Sequence, residues 1–599
     1  MKFLLPALLL ATTWEGSTYA QTNIAVSSTE VNKILLGTYN PATYQASTII
    51  TDPDIISAGL MNRISADSLK ADLIAFAGFK NRNTFSDTVS TTRGIGAARR
   101  WVYSKFMQYS AANDNRLKPA YLWFDYAPSA EGCTGSNNRQ ANVMAVLPGS
   151  QTDNPALIII EGHMDSRNSS NCDVAGSAPG IGDNATGSAL VMELARVLSK
   201  YTFRSTIVFS VNTGEEQGLL GAHALANYLD SKNVSIKAVN NNDVSGGVFC
   251  GHTSSQPSCP FYGDIDSTDL RIFSRGDVNS PHKQWARYIK LQYKEQLLSH
   301  VSVPMNINIM ENEDRTGRGG DHQAFTTLGY TGVRLTQANE NGDGNPTAGY
   351  LDRQHNVRDS LGLDKDGDGN VDSLYINPNY LARNALINGN SLAMVALGPD
   401  TVNFTPTGLT SNLVRVKFNP PSGVTYPAYR VAIRSDSNDW DSVFTVTGTT
   451  VDTLTVPYGT NTLYYISAAA VDANNTESQF ATEFKVQTKL IVLALPPDPS
   501  RPESPDPDYY GIKLLPNRPN PFDESTLITI TSGTDIFAGR TQLQFATLDG
   551  RVLSRMQVPL KKGLNQIPFN HGFAAGGTYI CSLIIDGLPI QSTKMIFRK

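Results

Sequence analysis

GHMDSRNSSNCDVAGSAPGIGDNATGSALVMELA, residues 162–195, follows the apolar run Leu157, Ile158, Ile159, Ile160. Four apolar residues in a row predict a short, fully buried strand. Leu190, Leu194, Val197 and Leu198 then make one apolar stripe, which predicts a helix over 188–198. Between the two lies a loop of small and polar residues. A solvated loop explains its serines and asparagines. It does not explain why His163 and Asp165 stand at the strand edge and Asp183 just before the helix.

Working outward, the same alternation repeats. Strand-like runs at 142–147, 156–160, 206–211 and, more weakly, 236–239 are interleaved with helices at 188–198 and 218–229. Residues 56–109 read as mostly helical, with Leu69, Leu73 and Phe76 on one face and Ala97, Trp101 and Phe106 on another. Strands alternating with helices predict an α/β domain over 51–397 with a mainly parallel or mixed sheet between helices. Beyond Gly398, short alternating strands (Val414, Val416, Phe418; Val431, Ile433; Tyr464, Ile466, Ala468) between turn residues predict a small β-sandwich over 398–488. YYISAAAVDANNTES, residues 464–478, resembles the late strand and turn of a fibronectin type III domain. PPDPSRPESPDPD, 496–508, lies in a proline-rich acidic linker over 489–510 that cannot bury a core, and a last β-rich unit spans 511–599.

The chain has 599 residues, too many for one core, and a formal net charge of -5. It offers no broad basic face, which argues against nucleic acid as a partner. Residues 1–20 read as a secretory signal: Lys2, an apolar stretch over 3–11, and a small-residue cleavage site ending at Ala20. No segment is long enough to span a bilayer, so a soluble protein, secreted or at the cell surface, is expected. Residues 21–50 form an N-terminal segment that is a candidate prosegment. Five cysteines are too few for a disulfide framework; Cys250 with Cys259 and Cys133 with Cys172 are the expected pairs, and Cys581 is left over in a strand.

In an α/β domain ligands gather where strands end. There stand His163 and Asp165, Asp183 in GDNATG, Glu215 and Glu216 in NTGEE, Asp243 in NNNDVSG, and His355 in DRQHNVRD. Imidazole nitrogens and carboxylate oxygens suit zinc, and two ions sharing one carboxylate need about five ligands. His163 and Asp165 share a strand face, so the acid can orient the imidazole. Each item alone also fits a structural hydrogen-bonded pair or a solvated helix start, and spacing does not choose His355 over His322 in GRGGDHQAF.

The ordered set GHMDS, GIGDNATGSA, NTGEEQGLLG, NNNDVSG, RTGRGGDHQAF and RQHNVRD resembles the bacterial leucyl aminopeptidase family of two-zinc exopeptidases, over about residues 65–397. The resemblance implies a zinc-exopeptidase sandwich. Asp183 would be the bridging carboxylate, His163 and Asp243 would complete one zinc site, and Glu216 and His355 the other. Glu215 would be the general base, Asp165 the partner of His163, and His322 a structural residue. Peptides or proteins would be cleaved at the N-terminal residue. Asn356 stands where many relatives have Thr, and the small residues closing NNDVSGG leave the specificity pocket open.

Two further stretches carry expectations. DKDGDGNVD resembles an EF-hand or dockerin loop, with calcium oxygens at Asp364, Asp366, Asp368 and Asp372; its twelfth position is Tyr375 rather than Glu. LLPNRPNPFDESTLITI, LDGRVLSRMQVPLKKGLNQIPF and GTYICSLIIDGLPIQSTKMIFRK resemble a C-terminal sorting domain of the type IX secretion system, which implies that machinery as a partner. The competing functions are a glutaminyl cyclase with one zinc, a carboxypeptidase, and an inactive adhesion protein that keeps the fold for binding.

Overall fold

The structure is a computed structural model describing residues 21–127, 133, 138–151, 155–250, 264–315, 318–340, 353–368, 371–409, 412–435, 439–457, 462–487, 511–523, 525–536, 540–548, 551–570, 576–585 and 588–598. The signal-like residues 1–20 and the whole of the proline-rich linker 489–510 lie outside them. The chain divides into two compact units, residues 1–491 and 492–599.

Among the described residues the first unit is built on a nine-stranded sheet. Its strands are β1 (Thr22–Val26), β2 (Lys118–Asp125), β3 (Arg139–Leu147), β4 (Ala156–His163), β5 (Thr206–Asn212), β6 (Ser235–Asn242), β7 (Asp269–Ser274), β8 (Asn306–Ile309) and β9 (Gly332–Gln337). Their order is β1-β2-β3-β5-β4-β6-β9-β7-β8. The central strands β5, β4, β6 and β9 run parallel, and β3 and β7 flank them antiparallel, so the sheet is mixed. Residues 22–26 add an edge strand, paired with β2.

Helices cover both faces, which is why β4 and β5 are buried along their whole length and mostly apolar. One core joins Ile158 and Ile160 of β4 to α2 (Pro53–Arg63), α3 (Ala66–Gly78), α4 (Gly94–Ala111), α5 (Thr186–Leu198), α7 (Pro281–Gln292) and α9 (Pro378–Leu397). The other joins Leu157 and Ile159 to α1 (Thr29–Leu35), α6 (Leu220–Asp230) and α8 (His322–Thr326). Both pairs are almost completely buried, and truncating any one of these four residues to Ala should cost about 2–5 kcal/mol. Because β4, β5 and β6 are parallel, their C-terminal ends share one edge. The start of α5 sits directly on that edge: a Cβ on Gly187 would come 2.0 Å from the Asn242 carbonyl oxygen. Only glycine allows that approach.

The last helix of the α/β architecture is α9. A two-strand hairpin, β10 (Gly362–Leu363) and β11 (Ser373–Leu374), precedes it. Next come β12 (Asn403–Gly408), β13 (Leu413–Asn419), β14 (Ala428–Arg434), β15 (Ser442–Thr447), β16 (Val451–Thr455), β17 (Leu463–Val471) and β18 (Phe484–Gln487). They form an antiparallel three-stranded sheet, β12-β13-β16, and a four-stranded one, β15-β14-β17-β18. The two sheets share a core of Val414, Val416, Tyr429, Val431, Tyr464 and Ile466, the alternating residues of the sequence pattern. This part does not stand apart from the α/β domain. Ala432, Ala469 and Phe480 join the α/β core, Gln284 donates to Ser467 Oγ (2.6 Å), and Gln292 donates to Glu477 Oε2 (2.8 Å).

The second unit has seven strands among the described residues: β19 (Lys513–Arg518), β20 (Ser525–Ser532), β21 (Thr541–Thr547), β22 (Val552–Gln557), β23 (Gly563–Asn570), β24 (Gly577–Ile585) and β25 (Leu588–Phe597). They form sheets β19-β20-β23 and β22-β21-β24-β25 around their own core, in which Cys581 is a buried free thiol.

The seam between α7 and the sandwich has a pH signature. Burial pushes the Glu477 carboxyl up to about 7, against the pull of Arg430 and with a small push from Glu295. The fold therefore holds this proton more tightly than the unfolded chain, whose Glu titrates near 4.5. The stability contribution is intact below pH 4.5 and is lost as pH rises through 7, roughly 3 kcal/mol in all. Glu477→Gln keeps an acceptor for Gln292 and should raise the unfolding temperature at pH 8 while flattening its decline across that window. Thermal unfolding followed by circular dichroism across pH checks this; an unchanged slope contradicts it.

Candidate metal centre

Five side chains, each from a different segment, meet at the shared edge. His163 ends β4, Asp243 follows β6, Asp183 precedes α5, Glu216 follows β5, and His355 comes from the loop before β10. His163 Nε2 lies 3.3 Å from Asp183 Oδ1 and 3.4 Å from Asp243 Oδ1. His355 Nε2 lies 3.0 Å from Asp183 Oδ2 and 3.2 Å from Glu216 Oε2. Two three-residue groups result, His163–Asp183–Asp243 and Asp183–Glu216–His355, each with ligand atoms within 4.8 Å of one another. Asp183 turns one oxygen to each group. Glu215 belongs to neither; its Oε2 is 3.9 Å from His163 Nε2 and its side chain is 15 % exposed.

The donors fit zinc. His163 Nε2, Asp243 Oδ1 and Glu216 Oε1 are buried without a hydrogen-bond partner, a costly state that a cation relieves. Burial would lower the His163 pKa, but the charge of Glu215 and the carboxylates of Asp165, Asp183 and Asp243 hold it well above its ordinary value. The same contest, with Glu216 and Asp183 outweighing burial, raises His355 to about 10. The acids thus demand positive charge at both imidazoles, which a divalent ion supplies on displacing the protons.

Hydrogen bonds to the backbone fix the geometry. Asp165 lies 3.5 Å from His163 Nδ1, as its place on the strand suggests. It also accepts from the Gly214 N–H (2.8 Å), the Glu215 N–H (3.3 Å), the Glu216 N–H (3.2 Å) and Thr84 Oγ1 (3.3 Å), so it sets the glutamate loop as well as the histidine. Arg82, fully buried, closes the polar loop after β4 by donating to the carbonyls of Met164 (2.7 Å), Pro179 (2.5 Å) and Gly180 (2.8 Å). The Cys133–Cys172 disulfide pins the same loop. Cys250 is also disulfide-bonded, and its expected partner Cys259 lies outside the described residues. Asn184 accepts from the Gly187 N–H (2.8 Å) and donates to the Asn242 carbonyl (2.9 Å), joining the start of α5 to the end of β6.

Three residues of this centre escape a reading of the sequence. Asp359 accepts from the N–H groups of Gly182 (2.7 Å) and Asp183 (2.9 Å), clamping the bridging acid to the His355 loop. It stands in the RQHNVRD motif, four residues after the histidine, and that was its only signal. Arg334 reaches Asp243, and Arg167 reaches Glu216. His322 is buried at the start of α8 with Nε2 3.2 Å from the Glu313 carbonyl oxygen, outside both groups. The acidic hairpin tip brings Asp364, Asp366 and Asp372 together, without Asp368. Asp364, Asp366 and Asp372 accept from the loop's own Gly367, Asp368 and Lys365 N–H groups. That bonding accounts for the acids as a tight turn, and calcium finds no support in it.

The family model for peptidase family M28 matches residues 142–374. Curated relatives include a probable zinc metalloprotease of the fungus Pyrenophora tritici-repentis, 30 % identical over 71 % of this chain and 93 % of the relative. Another, from Phaeosphaeria nodorum, is 30 % identical over 66 % and 80 %. Among solved structures, the Legionella pneumophila LapA aminopeptidase is 19 % identical with a TM-score of 0.40, covering 58 % of this chain and 74 % of that one. A glutaminyl cyclase of Fimbriiglobus ruber is 15 % identical with a TM-score of 0.37, covering 55 % and 95 %. On its family match and a likeness that spans most of the length of these metalloproteases, the chain belongs to peptidase family M28 and is a zinc-dependent peptidase.

Proposed function

We propose that the chain is an exported aminopeptidase that uses two zinc ions, held by His163–Asp183–Asp243 and Asp183–Glu216–His355. The observation that carries this is Asp183, with one oxygen turned to each group. Zinc at these groups supplies Lewis acidity towards a peptide carbonyl and makes a water easier to deprotonate. Glu215, beside the ligands but outside both groups, takes the water's proton and returns it to the leaving amine. The carboxylates of Asp183, Glu215, Glu216 and Asp243 favour a substrate ammonium, which restricts cleavage to the first residue. A one-zinc cyclase would leave the Asp183–Glu216–His355 group without a role.

Export is supported by the signal-like residues 1–20 and by disulfides, which persist in oxidising compartments. The three- and four-stranded sheets over 403–487 suit the fibronectin type III-like reading. The second unit is read as a delivery module of the type IX kind, since it has its own core and the sorting-like sequence.

Glu215→Gln should leave both zinc ions bound and cut kcat by on the order of a hundredfold or more, with KM little changed. Glu216→Gln should instead lower zinc content. Metal analysis beside steady-state kinetics separates the two, and near-normal turnover in zinc-loaded Glu215→Gln would move the base elsewhere. Aminoacyl chromogenic substrates should be cleaved and their N-acetyl forms spared; equal cleavage of both contradicts an aminopeptidase. A chain ending at residue 491 should keep its peptidase rate yet fail to reach the surface of its native host, and normal delivery of it refutes the sorting role.

A further inference from the structure

Beside the metal centre lies a cluster of buried charges that the proposed reaction does not use. Arg271 of β7, Arg334 of β9, and Asp314, Arg315 and Glu340 between elements are all withdrawn from solvent. Glu340 is the hub. Its Oε1 accepts from Arg271 Nη2 (3.3 Å), Arg334 Nη1 (3.3 Å) and Thr336 Oγ1 (3.2 Å). Its Oε2 pairs with Arg315 Nη1 and accepts from Gln354 Nε2 (3.3 Å). Asp314 Oδ1 accepts in turn from Arg315 Nε (3.0 Å) and Arg334 Nη1 (3.1 Å).

Two links of this cluster lead to the ligand groups. Arg334 Nε donates to Asp243 Oδ2 at 3.3 Å, which leaves Oδ1, the oxygen 3.4 Å from His163 Nε2, without a hydrogen bond. Gln354 is the residue before His355, a member of the other group. One carboxylate thus ties together loops that serve both groups. Charge explains why an acid stands there. The guanidiniums of Arg271, Arg315 and Arg334 face the carboxylates of Asp243, Asp314 and Glu340, so positive and negative charges match. Buried charges are tolerated when paired, and removing one leaves its partners uncompensated. Without the charge of Glu340, the excess positive charge bears on Asp243 at short range in a poorly screened interior.

We propose that Glu340 is a positioning residue of the metal centre. Acting through Arg334 and Gln354, its one carboxylate fixes Asp243 of the first ligand group and the His355 loop of the second. The inference rests on the ligand groups proposed above. An ion network that served the fold alone would hold its elements together whichever way the ligand atoms pointed. This one ends on the rear oxygen of Asp243 and keeps the forward oxygen for an ion.

The test uses full-length protein with cobalt(II) in place of zinc, whose visible absorption reports ligand geometry independently of turnover. Glu340→Gln keeps the shape of the side chain and removes its charge. It should shift the cobalt bands, weaken zinc binding by on the order of tenfold or more, and lower kcat by a similar factor. Glu340→Asp restores the charge and should recover most of the zinc affinity. Arg271→Met removes the partner of Glu340 on β7, not the one bonded to Asp243. It should lower the unfolding temperature and leave the cobalt bands in place. Gln354→Met withdraws the link to the His355 loop, should shift the bands as well, and stands in if Glu340→Gln does not fold. Unchanged bands and zinc affinity in folded Glu340→Gln, or in Gln354→Met where it stands in, overturn the inference. So does an equal band shift in Arg271→Met, or zinc binding in Glu340→Asp no tighter than in Glu340→Gln. Cobalt bands indifferent to Asp243→Asn and His355→Gln overturn the ligand groups themselves.

Discussion

Asp183, Glu215, Glu216 and Asp243 crowd one cleft at the edge of the sheet, and carboxylates so placed repel unless cations stand between them. The rest of the centre follows from that constraint. Both imidazoles are drawn towards a positive charge, and ligand atoms stay buried without hydrogen bonds. Arginines fully or largely buried close by, Arg82, Arg334 and Arg167, offset part of the charge without sitting between the acids. A hydrophobic protein of the same fold would need none of this.

The scaffold bears the cost of holding the acids together. Parallel β4, β5 and β6 bring three chain segments to one edge, and the glycine at 187 lets α5 start against the Asn242 carbonyl. Asp165 and Asp359 then convert backbone N–H groups into fixed positions for the glutamate loop and for Asp183. Such bonds, buried and charge-assisted, are stronger than neutral ones, which suits a site that must keep its shape against internal repulsion.

How far this was legible in the sequence depended on how local each signal was. The apolar run of β4 and the stripe of α5 have unambiguous periods, and both elements lie where they were read. β6 extends to Asn242, beyond the apolar residues at 236–239, because backbone pairing with β4 and β9 carries it on, and Asn240 Oδ1 accepts from Trp285 at 2.7 Å. Helix α9 gives a weak sequence signal, although Asn377 and Pro378 are a capping pair, because its apolar stripe is broken by buried Asn384, Asn388 and Asn390. At the site, the motifs supplied the residues that the structure brings together. Arg334 and Arg167 carried no signal, since each meets its acid across a wide gap in the chain, 91 residues for Asp243 and 49 for Glu216.

In the proposed two-zinc centre one carboxylate, Asp183, joins the two metal sites. Anomalous diffraction at the zinc absorption edge from crystals of the zinc-loaded protein tests it directly. The expected result is two peaks a few ångströms apart, one against His163 and Asp243 and one against Glu216 and His355, with an Asp183 oxygen on each. A single peak, or two peaks of which Asp183 touches only one, would contradict it.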